Sequence, residues 1–176
     1  MHRLELRLRE LGQLFNSMDP APFLERDLDR DAEHYIESWA MTHPPASRFH
    51  ITLHLQQQPS QAEPERSIAD AIHNYFRYKA ELALRELRQL LRQGRTSLLI
   101  GLAFLAACLA AANAIVPGSS GHLLTIVREG LTIIGWVAMW RPIQIFLYDW
   151  WPVLRRRRTY QSLGRAHFDL VAPAKS

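Results

Sequence analysis

The chain has 176 residues, 48% of them hydrophobic, and 21 Lys and Arg against 17 Asp and Glu give a formal net charge of +4. That length allows one membrane unit and one modest soluble domain, and a single cysteine, Cys108, excludes an intrachain disulfide. The arginines concentrate beside apolar stretches, where anionic lipid headgroups attract each of them by about 1 kcal/mol, so the excess charge points to a membrane surface and away from nucleic acid.

The N-terminus alternates. Leu4, Leu6 and Leu8 are interleaved with Arg3, Glu5, Arg7 and Arg9, a period of two that predicts a strand with one buried face. It lacks the uninterrupted apolar core of a signal peptide, which keeps the soluble half inside the cell. Leu28, Ala32, Tyr35, Ile36, Trp39 and Ala40 then recur at helical spacing. Asp27, Asp29 and Asp31 complement the positive end of that helix, and Pro44-Pro45 stops it. From Arg48 to Leu55 the alternation returns, with Phe49, Ile51, Leu53 and Leu55 inward and Arg48, His50, Thr52 and His54 on a polar outer face. Strand, helix, strand predicts an α/β fold: a cytoplasmic βαβ domain over 1–66, its strands parallel and its crossover right-handed. Two strands and one helix bury little apolar surface and leave open edges, which predicts a homo-oligomer.

Gln56–Pro64 is polar and broken by proline, hence a surface loop. Ser67 opens an amphipathic cytoplasmic helix over 67–95, with Asp70 placed for a capping-box-like start and Glu81 one turn from Arg85. No proline follows before Pro117, so this helix is predicted to continue into the apolar stretch Thr96–Val116, about 75 Å in all, with Gly94 as its candidate hinge.

Thr96–Val116 and Leu131–Trp151 each reach the roughly 20 apolar residues that cross a bilayer. Arginines at 85, 88, 92 and 95 flank the first, and Arg155, Arg156, Arg157 and Arg158 follow the second, positioned to contact lipid headgroups. Positive flanks stay in the cytoplasm. The prediction is a two-helix transmembrane hairpin over 96–154, both termini inside, the turn Pro117–Gly121 outside, and a basic cytoplasmic tail over 155–176. Ala103, Ala107 and Ala111 form a small-residue row that lets helices approach closely, either within the hairpin or between subunits. A second span over Leu131–Trp151 puts Arg141 near the bilayer centre. Shifting it to His122–Trp140 puts Arg141 at the cytoplasmic surface but buries Arg128 and Glu129. The first placement is preferred, since it leaves one deep charge. An intramembrane charge is a candidate functional site. Arg141 is read either as the partner of Asp149 or Glu129 in an ion pair or as the lining of a permeation path.

The segments Asp19-Pro-Ala-Pro-Phe-Leu-Glu-Arg-Asp-Leu-Asp29 and Trp140-Arg-Pro-Ile-Gln-Ile-Phe-Leu-Tyr-Asp-Trp-Trp-Pro152 resemble a family of small bacterial inner-membrane two-helix hairpin proteins. The likeness covers most of the chain. It implies a bacterial source and an inner-membrane location, and it carries no activity with it.

Chemistry is sparse. His50 and His54 lie some 13 Å apart along one strand face, too far to share an ion. The acidic run Glu25 to Asp31 lacks the glycine and the bidentate Glu of a calcium loop. No glycine-rich phosphate loop and no Ser/His/Asp order stands out, so no catalytic, cofactor-binding or metal-ligating residue is assigned. The reading is a non-enzymatic, homo-oligomeric scaffold or accessory subunit, with a protein partner at its cytoplasmic domain. A small oligomeric ion channel, lined by Arg141 or the Arg48/His50/His54 face, is the alternative. A membrane-surface enzyme is the second.

Overall fold

A computed structural model describes residues 2–16, 18–20, 22, 26–56, 65–114 and 122–171. The predicted turn Pro117–Gly121, most of the loop before Pro64 and part of the acidic run lie outside the described residues. The chain divides into two compact units, Met1–Leu84 with Leu154–Ser176, and Arg85–Val153.

In the first unit, β1 (His2–Leu8) and β2 (Phe49–Leu55) are parallel neighbours, with Leu4 opposite Ile51 and Leu6 opposite Leu53. Between them runs α1 (Arg30–Met41), started by Asp29, whose carboxylate accepts from the backbone N–H groups of Asp31 and Ala32. The predicted strand–helix–strand order is therefore present. A third strand, β3 (His167–Val171), pairs parallel to the other edge of β2, with Ile51 opposite Phe168. This segment lies within 155–176, the stretch expected as a basic tail. The result is a mixed α/β fold on a three-stranded parallel sheet, in the order β1-β2-β3.

Right-handed crossovers that step one way across a sheet put their helices on one face. The burial agrees: Phe49, Ile51, Leu53 and Leu55 are buried along β2, while His50, Thr52 and His54 between them are only half-buried. Against the apolar face pack Ile36 and Ala40 of α1, Ile68, Ile72 and Phe76 of α2 (Glu65–Ala114), and Tyr160 and Leu163 of α5 (Trp150–Leu163). Each fully buried large side chain contributes about 1.5–3 kcal/mol.

Polar contacts then fix the helices to one another. The Tyr75 hydroxyl donates to Glu33 at 2.6 Å, and Lys79 pairs with the same carboxylate, tying α2 to α1. Arg155 donates to the Met41 carbonyl at 2.9 Å and Ser162 to that of Pro45 at 2.8 Å, tying α5 to the end of α1. Burial first, and then the Glu33 carboxylate, hold the Tyr75 phenol far above its ordinary range. Tyr160 is raised in the same way by burial and Glu37. The folded state thus keeps protons that the unfolded chain releases near pH 10, so stability is intact below about pH 10 and falls above it. Alkaline unfolding should therefore coincide with the rise of tyrosinate absorbance from these two residues, and Tyr75→Phe should reduce that coupled signal.

The second unit holds residues 85–114 of α2 and a return path of α3 (His122–Val137), α4 (Trp140–Gln144), a π-helical segment (Ile145–Asp149) and the start of α5. Gly94, Gly101, Cys108 and Ala112 are the buried positions of α2 here, and the first three recur every seven residues. A Cβ on Gly94 would meet Ile145 at 2.8 Å, one on Gly101 the Ala138 carbonyl oxygen at 3.2 Å, and one on Gly135 the Leu105 side chain at 2.9 Å. The two arms are therefore antiparallel and in close contact. Gly94 is a contact point inside a helix, not the hinge expected of it.

Phe168 is the main apolar side chain that β3 puts into the core. Phe168→Ala should cost about 3 kcal/mol and should raise amide exchange along β2 as well as β3, measured on the full chain in detergent.

Candidate functional site

Two groups of polar side chains come together, one in each unit. On the open face of the sheet, His50 of β2 stands opposite His167 of β3, and Asp169 lies one alternation further on. Asp169 is shared: His50 Nε2 lies 2.6 Å from one carboxylate oxygen and His167 Nε2 3.1 Å from the other. The two rings meet edge to face, centroids 5.1 Å apart. His50 Nδ1 is buried and has no hydrogen-bond partner among the described residues. His54 does not join this group; its nearest charged neighbour is Glu5 of β1, 3.8 Å away and beyond hydrogen-bond reach. Arg48 is exposed just before β2.

His50 and His54 share the polar side of β2, with Arg48 exposed just before it, and that face adds a His50–Asp169–His167 cluster and a separate His54–Glu5 contact. His167 and Asp169 were missed, although His-Phe-Asp-Leu-Val171 carries the same period of two as β1. Away from this face, His2 stacks on His43 with centroids 4.0 Å apart, and burial together with the neighbouring His43 charge holds its imidazole below the usual range. Among the described residues, no three His, Cys, Asp or Glu side chains are grouped to hold a metal ion.

In the second unit Arg141 donates to Asp149 at 3.3 Å. On a regular helix these residues, eight apart, would sit about 12 Å apart along the axis and about 80° round it. The π-helical turn over Ile145–Asp149 takes more residues per turn and swings Asp149 back toward the Arg141 side. Pro142 supplies the other irregularity. It has no N–H, so the Ala138 carbonyl loses its helical partner, and that carbonyl oxygen lies 3.2 Å from where a Cβ on Gly101 would sit. Trp150 Nε1 donates to the Phe146 carbonyl at 2.8 Å within the same stretch. Glu129 lies twelve residues before Arg141, about 18 Å along a helix, and cannot be its partner within the chain.

Ala103, Ala107 and Ala111 are exposed, so the hairpin seam runs instead through Gly94, Gly101 and Cys108. The four consecutive arginines also separate: Arg155 binds the Met41 carbonyl, Arg157 lines a cleft with α2, and Arg158 is exposed. A helix turns 100° per residue, so the four side chains leave α5 in different directions.

No family model matches the chain, no curated protein matches its sequence, and no solved structure matches its fold.

The single contact between Arg141 and Asp149 needs a positive donor and no guanidinium fork. Arg141→Lys should therefore stay near wild type in thermal unfolding, and Arg141→Ala should lose up to about 1 kcal/mol. Gly135→Leu should be far more damaging, because its side chain must displace Leu105 and Cys108.

Proposed function

We propose that the protein is a non-enzymatic, homo-oligomeric bacterial inner-membrane protein that presents its α/β domain at the cytoplasmic surface as a scaffold or accessory subunit. The observation that carries this reading is how little of the apolar helices is covered. In the most apolar stretches of α2 and of the return arm, 17% and 6% of residues are buried. Leu99, Ile100, Ile133 and Trp136 are all more than 60% exposed. Contiguous apolar surface on that scale is unstable in water and suits lipid.

Strand pairing supports an even number of crossings. β2 precedes both apolar helices and β3 follows them, and the two can hydrogen-bond only in one compartment. The arginine flanks favour the cytoplasm for that compartment. The antiparallel seam bears on depth. Ala138 lies against Gly101, so Arg141 falls level with Leu98, close to Arg95. A span over Leu131–Trp151 would drag Arg88, Arg92 and Arg95 into hydrocarbon with it. The placement His122–Trp140 is therefore the better one, with the Arg141–Asp149 pair at the inner surface and Arg128 and Glu129 toward the outer leaflet.

β3 covers the free edge of β2 and becomes the edge strand itself, while β1 carries Arg3 and Arg7 along the opposite edge strand. The exposed row Ala103/Ala107/Ala111 is the remaining surface suited to close helix contact with a second copy. Pairing of Arg141 with Asp149 also removes the unbalanced charge that the ion-channel alternative relies on.

Reporter fusions at residues 1, 119 and 176 should give an exported signal at 119 alone; export at either terminus would overturn the hairpin. In mild detergent the full chain should be larger than a monomer, and Ala107→Leu should shift it toward monomer while the domain stays folded. A wild-type chain that is monomeric at every concentration would remove the oligomer from the reading.

A further inference from the structure

We propose that a basic cleft between α2 and α5, within the first unit, binds a soluble phosphate-bearing anion. Arg77 and Glu81 line it from α2, Arg157 and Gln161 from α5, and Gly164 and Arg165 from the turn after α5. Each helix contributes a pair four residues apart, the spacing that puts two side chains on one face. Gly164 sits where the turn meets α2. A Cβ there would sit 3.3 Å from the Tyr160 carbonyl oxygen and 3.6 Å from the Arg77 backbone nitrogen, so the turn lies directly on α2 and brings Arg165 beside Arg77.

The charge is unbalanced. Three guanidinium groups face one carboxylate, and the ion pairs formed among the described residues use none of the three. Arg77 is oriented by its hydrogen bond to Asn74. Converging arginines repel one another unless an anion lies between them. The planar guanidinium fork matches phosphate oxygens two at a time.

Size and position narrow the ligand. The cleft holds about 250 Å³, just under the roughly 300–1,000 Å³ of sites that enclose a whole small molecule. It admits a phosphate or diphosphate group and leaves the remainder of a larger ligand outside. Leu84, the lining residue of α2 nearest the apolar stretch, precedes Thr96 by twelve residues, about 18 Å of helix. A headgroup layer is only about 5–8 Å deep. Along α2 alone that separation exceeds the depth of the layer, which favours a soluble phosphate over a lipid one. The bound anion would bridge α2 and α5, the two helices that continue from the first unit into the second.

Titration calorimetry of the full chain in nanodiscs of neutral phosphatidylcholine, with pyrophosphate as probe, tests this. Saturable binding with one site per chain is expected. Arg157→Gln and Arg165→Gln should each weaken it about tenfold, the loss expected for one charge-assisted contact. Glu81→Gln should tighten it several-fold by removing the opposing carboxylate, a gain that a misfolded variant cannot imitate. Absence of saturable binding, or an affinity that none of the three variants moves, overturns the proposal. In discs of phosphatidylglycerol the affinity should persist; its disappearance there would assign the cleft to lipid headgroups and overturn the soluble ligand.

Discussion

The pairing of β3 with β2 is the contact on which the rest of the molecule depends. His50 and Asp169 are 119 residues apart in sequence and 2.6 Å apart in space. Everything between β2 and β3 is one very long crossover between adjacent parallel strands. Closing so long a loop costs entropy, although the cost grows only with the logarithm of length. Phe168, Leu163 and Tyr160 offset it by entering the core that β1, α1 and β2 have begun. The first unit is therefore made from both ends of the chain, and the second is an insertion within it.

This arrangement explains how so small a sheet can be covered on one side and polar on the other. With strands in the order β1-β2-β3, the two crossovers lie on one face and stack their apolar stripes there. Among the described residues no helix covers the other face, and the side chains there are those that tolerate water: His50, Thr52, His54 and the Asp169 that bridges two imidazoles. Tyr75 and Lys79 on Glu33 show the same economy on the packed side, where two donors meet a half-buried carboxylate.

In the second unit, backbone proximity is the organising constraint. The two apolar helices leave most of their surface uncovered, so the contact between them rests on close packing along a narrow seam. Glycines at 94, 101 and 135 provide it. The seven-residue spacing of Gly94, Gly101 and Cys108 keeps one seam facing the return arm over two helical turns at a time. The break at Pro142 and the π turn after it fall where the arm has to bring Arg141 and Asp149 to one side.

The sequence by itself determined the local elements, because their signals are local. Period two marked β1 and β2, helical spacing marked α1 and α2, and the length of the apolar runs marked two helices long enough to cross a bilayer. It did not reveal β3. Five residues of alternation beside an arginine run look like a tail until a free strand edge is available to pair with them, and that edge exists only in the folded unit. For the same reason, His167 and Asp169 could not be joined to His50 in advance. Nor could the alanine row be separated from the glycine seam, since both are runs of small residues and only the packed pair of helices decides which faces inward. Arg141 had two candidate partners of equal chemistry in sequence. The π turn, a feature of backbone geometry that no residue type announces, chose Asp149.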